Sequence, residues 1–350
     1  MDKKIEQASR RAQSQKRSKR QYAPVLYERN CSIGRTIAVL SDSWAFLVLR
    51  EAFFGATRFE TFQAALGLPR ATLTQRLRML TAQGLLRHTQ HDGSSLRFEY
   101  RLTAMGKDLY PAFLALMSFG DKWLTEEGGH PVYLVHNICG CLCHALVTCS
   151  HCKAEVMNRT VTYRDGPGAG ISPILETRRS RRASDPAVLD RVRPSTIARA
   201  LKVIGDRWSF MIIREGFFGV RRFDEMQTKL GIAPNILTDR LNRLVADGVF
   251  DRTRYQSLPE RFEYRFTDKG RDLHGPLIAM MRWGDRWLSA GEPPLILTHR
   301  DCGADFEPTV ICSGCQGELK SADMSYKLNY DFPSDGRPLK PNRPILTQGA

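Results

Sequence analysis

Apolar residues recur along this chain at the spacing of a helix, and they do so twice in the same order. The clearest case is a leucine stripe at Leu73, Leu77 and Leu80 that is repeated at Leu237, Leu241 and Leu244. Steps of three and four residues place side chains on one face of a helix. The stripes therefore predict buried helix faces over Ala71–Ala82 and Asn235–Ala246.

Further elements are predicted around each stripe, because the hydrophobic period changes from helical to alternating after Gly84 and Gly248. In the first copy the pattern predicts helices over Ile37–Phe54, Phe59–Leu66 and Ala104–Leu124, with strands over Leu85–His91 and Arg97–Thr103. In the second copy it predicts helices over Leu201–Phe218, Phe223–Leu230 and Asp268–Leu288, with strands over Val249–Tyr255 and Arg261–Thr267. This order is that of a winged helix-turn-helix with a carboxy-terminal interaction helix.

The elements repeat because the sequence itself repeats. Val39–Trp123 reappears as Val203–Trp287, shifted by 164 positions without a gap. A repeat of this length is a duplicated domain, since solenoid units have periods of only about 20–50 residues. The 350 residues are therefore predicted to divide into a basic arm (1–25), module one (26–173), a polar basic linker (174–193), module two (194–331) and a Pro-rich tail (332–350).

Charge and composition narrow the class of partner. The formal net charge is +15, and residues 1–22 alone carry eight Lys or Arg against two acids. This balance predicts attraction to a polyanion, with a merely solvated arm as the alternative. Leu109–Phe119, the longest uncharged apolar stretch, is about half of the roughly 20 residues that a membrane span needs. No apolar core follows the basic amino terminus, so we expect no secretory signal, no membrane partner and a reducing cytoplasm.

Several motifs occur in the same order in both modules. Module one contains D-x-W, REAFFGATRFETFQAALGL, LTQRL and RFEYRLT, and module two contains GDRW, REGFFGVRRFDEMQTKLGI, LTDRL and RFEYRFT. Together they resemble the HxlR-type family of bacterial winged-helix transcriptional regulators. The resemblance implies an α+β fold, mainly α, with two winged helix-turn-helix domains. It also implies a regulator that binds double-stranded DNA and is associated with the cytoplasmic nucleoid.

The chain departs from that family in two ways, because it fuses two copies and adds a Cys-rich segment to each. Family members are typically homodimers. A linker of about 20 residues can extend over tens of Å, so an intramolecular pseudo-dimer is within reach. A homodimer of tandem chains is the alternative.

The second helix of a helix-turn-helix enters the major groove, so its exposed face is the predicted DNA-reading surface. The predicted readers are Ala71, Thr74, Gln75 and Arg78 in module one and Asn235, Thr238, Asp239 and Asn242, beside Arg243, in module two. Arg76 and Arg240 of the shared LT-x-RL motif are predicted phosphate anchors. The predicted wing contacts to the DNA backbone or minor groove are His91, Arg97, Arg254 and Arg261. Asp239 either accepts a hydrogen bond from cytosine or pairs with Arg243.

The cysteines form a second repeated pattern, H-x2-C-x9-C-x2-C. Its members are His136, Cys139, Cys149 and Cys152 in module one and His299, Cys302, Cys312 and Cys315 in module two. Thiolate and imidazole ligands at such spacing are typical of structural Zn²⁺. We therefore expect about two Zn²⁺ per chain, one in a small zinc-ribbon-like element after each winged helix. The histidines are the least secure ligands, and Cys141, Cys143, His144 and His151 leave the ligand set of module one open.

A ninth cysteine, Cys31, stands outside the zinc pattern. It lies just before the first helix of module one, where the resemblance implies a reactive thiol, and Ser195 occupies the equivalent place in module two. Nearby Arg29 and Arg35 would favour its thiolate, whereas burial would oppose it. Cys31 is therefore a candidate redox sensor, with an unreactive helix-start cysteine as the alternative.

Enzymatic motifs are not found in the sequence. GPGAG at 166–170 lacks the GK[ST] of a phosphate-binding loop, and neither HExxH nor GxSxG occurs. We therefore expect a DNA-binding regulator and not an enzyme. The alternative function is a zinc-stabilised protein-interaction adaptor that does not bind DNA sequence-specifically.

Overall fold

The computed structural model describes residues 27–40, 42–90, 98–125, 129–173 and 194–330. The predicted basic arm, linker and Pro-rich tail lie outside these residues. So do two predicted wing contacts, His91 and Arg97. The described chain is mainly helical, with small antiparallel sheets of two or three strands.

Module one follows the predicted order of elements. Its helices are α1 (Ser32–Leu40), α2 (Ser43–Phe53), α3 (Phe59–Leu66), α4 (Arg70–Ala82), α5 (Ala104–Asp108) and α6 (Tyr110–Trp123). Its strands are β1 (Tyr27–Arg29), β2 (Leu86–Gln90), β3 (Phe98–Leu102), β4 (Val132–His136), β5 (Ala145–Cys149), β6 (Val161–Asp165) and β7 (Ile171–Pro173).

Module two repeats this order. Its helices are α7 (Thr196–Ile204), α8 (Arg207–Phe217), α9 (Phe223–Leu230), α10 (Pro234–Ala246), α11 (Asp268–Asp272) and α12 (His274–Leu288). Its strands are β8 (Phe250–Ser257), β9 (Glu260–Phe266), β10 (Leu295–His299), β11 (Asp305–Phe306), β12 (Pro308–Cys312) and β13 (Met324–Leu328).

The long first helix predicted in each module is two helices in the structure. The Asp42 carboxylate accepts a hydrogen bond from the backbone N–H of Ala45 and so caps the start of α2. Asp206 caps α8 in the same way, through the N–H groups of Trp208 and Ser209. An aspartate at this position satisfies amides that have no partner inside a helix, which favours a new start over a continuous helix. The predicted last helix is likewise divided, at Leu109 and Leu273.

The two modules interlock through their longest helices. Helix α6 packs against α7 of the other module, α12 packs against α1, and α6 and α12 contact each other. Two glycines permit this close approach. A Cβ at Gly120 would lie 2.5 Å from the Thr196 carbonyl oxygen, and one at Gly284 would lie 2.6 Å from that of Ser32.

Matching tryptophan contacts join the modules at both ends of this interface. The Trp123 indole N–H donates to the Asp272 carboxylate over 2.7 Å, and the Trp287 indole N–H donates to the Asp108 carboxylate over 2.7 Å. Asp272 and Asp108 occupy equivalent positions in the two modules. The modules are therefore related by an approximate two-fold symmetry.

The Cys-rich segments also exchange partners, unlike the separate ribbons that the spacing predicted. Strand β4 pairs with β13, β5 with β12 and β6 with β10, each time joining module one to module two. Among the strand ladders of the described Cys-rich residues, only β10–β11 joins two strands of the same module. The Cys-rich segments of the two modules are therefore paired with each other, and β5 and β12 pack against α6 and α12.

No single helix of the described residues is long and apolar enough to cross a membrane. Ser32–Leu40 and Ser43–Phe53 meet the requirement only as a pair, and the two are bent by 80°.

Stability should respond to acid through His274, which begins α12. Its ring lies 5.2 Å from that of Phe217, and burial lowers its pKa from 6.5 to about 4. Because the unfolded chain takes up this proton more readily, stability is lost as pH falls from about 6.5 towards 4. Burial raises the pKa of Asp285 to about 6, and that shift has the opposite effect on stability.

A comparison with His274→Tyr isolates the histidine, since Tyr110 occupies the same position in module one. Between pH 7 and pH 5 the wild type should lose about 2 kcal/mol more of its unfolding free energy than the variant. Urea denaturation at both pH values measures this difference. Equal losses in the two proteins would show that His274 does not titrate as its burial implies.

Candidate functional site

Two equivalent helices, α4 and α10, each carry a polar face opposite the predicted leucine stripe. All six leucines of the stripes are 0% exposed. On the other face, Ala71, Gln75, Arg78, Asn235, Thr238, Asp239, Asn242 and Arg243 are exposed, and Thr74 is half-buried. The predicted readers that the structure describes therefore lie on the outward faces of the second helices of the two helix-turn-helix units.

A glycine in the left-handed region makes the turn before each of these helices. Gly67 ends α3 with φ of 61°, and Gly231 ends α9 with φ of 59°. Residues with a Cβ rarely adopt this conformation, so glycine is favoured at both positions. The matching turns present α4 and α10 in the same way in both modules.

Arg76 and Arg240 do not stand free as the predicted phosphate anchors. The Arg76 guanidinium makes two hydrogen bonds to the Asp42 carboxylate, and its side chain is 18% exposed. Arg240 lies 3.0 Å from Asp206 and is 12% exposed. Each arginine thus ties its reading helix to the capping aspartate of the D-x-W motif. Packing against the aspartates accounts for the presence of both arginines in both copies, and their role as phosphate anchors stays a prediction.

Asp239 is engaged by two neighbouring arginines. Its carboxylate lies 3.2 Å from Arg243, one turn further along α10, and it also pairs with Arg240. Of the two interpretations of Asp239, the structure shows the ion pair. Among the described residues, Arg78 of α4 makes no ion pair of this kind, so the outward faces of α4 and α10 differ in charge.

The described part of the wings carries further cations. Arg261 is exposed at the start of β9, and Arg254 lies 3.1 Å from Glu260 across the hairpin. The Arg222 guanidinium lies 4.8 Å from the centre of the Tyr255 ring. The wing of module two therefore presents both positive charge and aromatic surface beside α10.

Sequence reasoning did not single out Arg70. This residue is exposed at the first position of α4, and its guanidinium lies 4.7 Å from the centre of the Phe59 ring. The aromatic residue at the start of α3 was the available signal, because arginine stacks on aromatic faces. Pro234 replaces Arg70 in module two, which increases the difference in charge.

The eight predicted ligands come together in two groups, each drawn from both modules. One group contains His136, Cys139, Cys312 and Cys315, and the other contains Cys149, Cys152, His299 and Cys302. Within each group, the ligand atoms all lie within 4.8 Å of one another. We call these the His136 centre and the His299 centre. The expected grouping of four ligands inside one module is wrong.

The strand register explains the exchange. His136 ends β4 and begins the H-x2-C turn, and Ala145 at the start of β5 faces Cys312 at the end of β12. Strand β5 then carries Cys149 four residues away from Ala145, which is about 13 Å in an extended chain. Cys149 therefore reaches the opposite end of the ladder, and Cys312 takes its place beside His136.

The distances within both groups suit one tetrahedral ion. His136 Nδ1 lies 3.3 Å from Cys139 Sγ and 3.3 Å from Cys315 Sγ, and the Cys139 and Cys312 sulfurs are 3.9 Å apart. A zinc ion with Zn–S bonds of about 2.3 Å would place two sulfurs about 3.8 Å apart. All nine cysteines are free thiols. The donor set and its spacing thus fit zinc.

The His299 centre has the same geometry. His299 Nδ1 lies 3.3 Å from Cys152 Sγ and 3.5 Å from Cys302 Sγ, and the Cys149 and Cys302 sulfurs are 3.9 Å apart. Both imidazoles are 0% exposed. Nε2 of His299 lies 3.5 Å from the Asp301 carboxylate. Both histidines, the least secure of the predicted ligands, therefore direct Nδ1 at their cysteines.

Comparison with a family model decides what kind of protein carries these surfaces. The model of the HxlR-like helix-turn-helix matches residues 39–128 and again residues 203–292. The chain belongs to the HxlR-like helix-turn-helix family. The two matched segments contain α4 and α10 together with their hairpins.

Individual relatives of this HxlR-like chain agree with that assignment. The uncharacterized HTH-type transcriptional regulator Rv3095 of Mycobacterium tuberculosis is 43% identical over 136 residues, which are 39% of this chain and 86% of the relative. An uncharacterized HTH-type transcriptional regulator of a Synechocystis species, sll1512, is 37% identical over 98 residues, 28% of this chain and 73% of the relative. The solved structure of PA1607 is 40% identical, with a TM-score of 0.33, and the match covers 36% of this chain and 89% of that one.

Cys31, the candidate sensor of this HxlR-like chain, is 6% exposed at the interface between the modules. Arg29 pairs with Asp165, and Arg35 donates to Ser289 over 2.8 Å. The cation that faces Cys31 is instead Arg214 of module two. The equivalent contact joins Arg50 to the Ser195 hydroxyl over 2.8 Å. Sensing by Cys31 stays a prediction, and its burial means that an oxidant would have to enter the interface.

The Arg76–Asp42 contact predicts a structural role that stability measurements can separate from DNA binding. Arg76→Ala should lower the unfolding free energy by about 1–3 kcal/mol, because it leaves a partly buried carboxylate unpaired. Arg78→Ala, on the exposed face of the same helix, is the matched control and should stay within about 0.5 kcal/mol of wild type. Urea denaturation of both variants provides the measurement. Equal stability of Arg76→Ala and wild type would restore Arg76 as a candidate for DNA contact.

Proposed function

We propose that this chain is a sequence-specific DNA-binding transcriptional regulator whose two winged helices read two half-sites. The observation that carries the proposal is the outward polar face of α4 and α10, each set on a fully buried leucine stripe. A helix presented in this way fits the major groove, where base pairs are distinguishable. The net charge of +15 favours association with the phosphate backbone.

The two half-sites are expected to differ. Gln75 and Arg78 of α4 correspond to Asp239 and Asn242 of α10. Arginine suits guanine because it donates two hydrogen bonds to one base, whereas asparagine suits adenine. Asp239 is held by Arg243, so α10 presents less free positive charge than α4. Module one should therefore supply more of the binding energy.

A single chain is expected to contribute both readers. The contacts of α6 with α7 and of α12 with α1 give the modules the arrangement of a dimer within one chain. Paired helix-turn-helix units bind half-sites about one helical turn apart. The proposed operator is thus a pair of unlike half-sites at that spacing, and the proposed place of action is the nucleoid.

Selection of bound duplexes from a random library tests this proposal. Wild type should enrich two unlike half-sites, and Arg78→Ala should lose preference at one base pair by about 1–3 kcal/mol. Asn242→Ala should instead reduce the base preference at the other half-site. Arg300→Ala is the control, because this exposed arginine directly follows β10 in the Cys-rich segment of module two and its loss changes the net charge equally.

Three outcomes would contradict parts of the proposal. If wild type enriched no common sequence, the chain would instead fit the zinc-stabilised interaction adaptor. If Arg78→Ala and Arg300→Ala gave the same base preferences, α4 would not read DNA. A strictly palindromic site bound by one chain would contradict the assignment of unlike half-sites.

We further propose that each of the two centres binds one structural Zn²⁺. Three thiolates and one imidazole form a closed tetrahedral shell, which leaves no open position for hydrolytic chemistry. Because each shell takes ligands from both modules, zinc would fasten the modules to each other. Metal binding at such a site contributes directly to the free energy of folding.

Counting zinc in double variants tests the exchanged ligand sets. Cys139→Ser with Cys312→Ser should lose one of about two zinc ions, because both residues serve the His136 centre. Cys139→Ser with Cys149→Ser should lose both ions, since these residues serve different centres. Ligand sets confined to one module would give the reverse result. Elemental analysis of the purified full-length chain provides the count, and a wild type without zinc would refute the proposed ion.

A further inference from the structure

A cavity of about 950 Å³ opens between the two modules beside the interlocked helices. Its walls come from α6 and the Cys-rich segment of module one and from α11 and the start of α12 in module two. Cavities that hold small organic molecules have volumes of about 300–1,000 Å³. The described residues that line this one include none of the eight candidate metal ligands and no residue of α4 or α10.

The approximate two-fold symmetry shows what occupies the equivalent place in the other half of the molecule. There, Arg282 of α12 extends towards two carboxylates. Its Nε lies 3.4 Å from a Glu307 oxygen, and one of its terminal nitrogens lies 3.8 Å from a Glu318 oxygen. A guanidinium suits such a place because its planar set of donors can face two acids at once.

On the cavity side, this arginine is replaced by a serine. Ser118 stands at the position of Arg282, and its hydroxyl is engaged by the backbone of Ala145. It donates to the Ala145 carbonyl over 2.9 Å and accepts from the Ala145 N–H over 3.1 Å. His144 stands at the position of Glu307. A long cationic side chain is therefore absent from this wall of the cavity.

The second acid of the pattern is kept on the cavity side. Glu155 corresponds to Glu318, and the two make equivalent β-bridges, to Thr148 and Ile311. Glu155 lines the cavity. Within the described part of the chain it forms no ion pair, whereas Glu318 faces Arg282. The cavity thus has the carboxylate of its counterpart without the matching guanidinium.

A further carboxylate in the cavity has an oxygen without a hydrogen-bond donor. The Asp121 side chain on α6 is 10% exposed, and its Oδ1 accepts no hydrogen bond from the described residues. The nearest cation candidate is His130, whose Nδ1 lies 3.4 Å from that oxygen. The equivalent aspartate, Asp285, accepts from the Ser32 hydroxyl. A buried carboxylate oxygen without a donor is unusual, and it favours a ligand that supplies N–H groups.

The other charges of the cavity wall are mostly paired with one another. Lys122 lies 2.7 Å from Asp272, and Arg271 lies 2.8 Å from Asp268. Arg159 is an exposed lining residue that makes no ion pair with another described residue. It is therefore the cation that a ligand carboxylate could face.

We propose that this cavity binds a small molecule with a guanidinium group, which faces Glu155 as Arg282 faces Glu318. Apolar lining residues such as Phe119 and Val147 would pack against its carbon chain. Because the walls come from both modules, the bound ligand would stabilise their interlocked arrangement. The inference goes beyond the proposed function, since it requires neither DNA nor zinc.

Calorimetric titration of the full-length chain tests this inference with three probes. L-arginine and agmatine carry a guanidinium, whereas L-citrulline has a neutral ureido group of nearly the same size. At least one guanidinium compound should bind at one site per chain, at least about tenfold more tightly than L-citrulline. Tighter binding of L-arginine than of agmatine would assign a ligand with a carboxylate, and the reverse order would assign a simple cation. Equal affinity for L-citrulline, or no binding of either guanidinium compound, would overturn the inference.

Variants at equivalent positions assign the site. Glu155→Gln removes the carboxylate at nearly constant volume and should weaken binding at least about tenfold. Glu318→Gln is the matched control, because it makes the same change where Arg282 is the partner, and it should bind like wild type. Ser118→Arg copies the counterpart and should abolish binding. Wild-type affinity in Glu155→Gln, or an equal loss in Glu318→Gln, would overturn the assignment. Thermal unfolding without a probe checks that each variant is folded.

Discussion

Backbone pairing of β5 with β12 is the contact around which the shared part of the structure is arranged. The ladder joins one module to the other over five residue pairs, from Cys149 opposite Pro308 to Ala145 opposite Cys312. Both long helices, α6 and α12, pack against its two strands. The register of this ladder decides which cysteines meet, since it carries Cys149 and Cys312 to opposite ends. A shift by one residue would turn every side chain of the strand to the other face.

Buried polar contacts also join the two modules, away from this ladder. Arg50 pairs with Glu51 inside module one and donates to Ser195 of module two, and all three side chains are buried. Arg214 and Glu215 repeat the pair in the opposite direction, with Cys31 in the place of Ser195. Each arginine keeps its charge partner inside its own module, and it adds a buried contact to Ser195 or Cys31 of the other module. The D-x-W aspartates act similarly within each module, where they fix the reading helices through Arg76 and Arg240.

Hydrophobic periodicity was sufficient to predict the helices and hairpins of the winged-helix modules. It did not predict contacts between segments that lie far apart in the chain. Helix α3 has the predicted bounds, and α4 and α10 begin one residue before theirs, because local spacing and glycine turns determine these elements. The sequence analysis did not predict the break before α2, because it treated Asp42 as part of the D-x-W motif and not as a helix cap. The eight candidate metal ligands were singled out by residue type and spacing alone. The grouping of these residues into two sets of four was not predicted. It depends on strand pairing between segments about 160 residues apart in the chain.

Arg76 shows a related limit of sequence reasoning. Its occurrence in both copies fitted an anchor that any DNA sequence would need, yet the same recurrence follows from a contact that both modules make. Only the position of the Asp42 carboxylate distinguishes the two explanations. Conversely, differences between the copies, such as Arg70 and Pro234, indicate surfaces on which the modules perform different tasks.

Covalent connection of the interlocked modules has a consequence for the concentration dependence of binding. Proteins that dimerise before they bind DNA divide into free subunits at low concentration, and their occupancy then depends on the square of the subunit concentration. Here the partner of α6 is always present, because α7 belongs to the same chain. If one chain reads both half-sites, as proposed, the occupancy of a target should rise with the first power of protein concentration. Under the proposed function, dilution of the protein would lower the occupancy gradually, because the contact between α6 and α7 does not depend on a second chain.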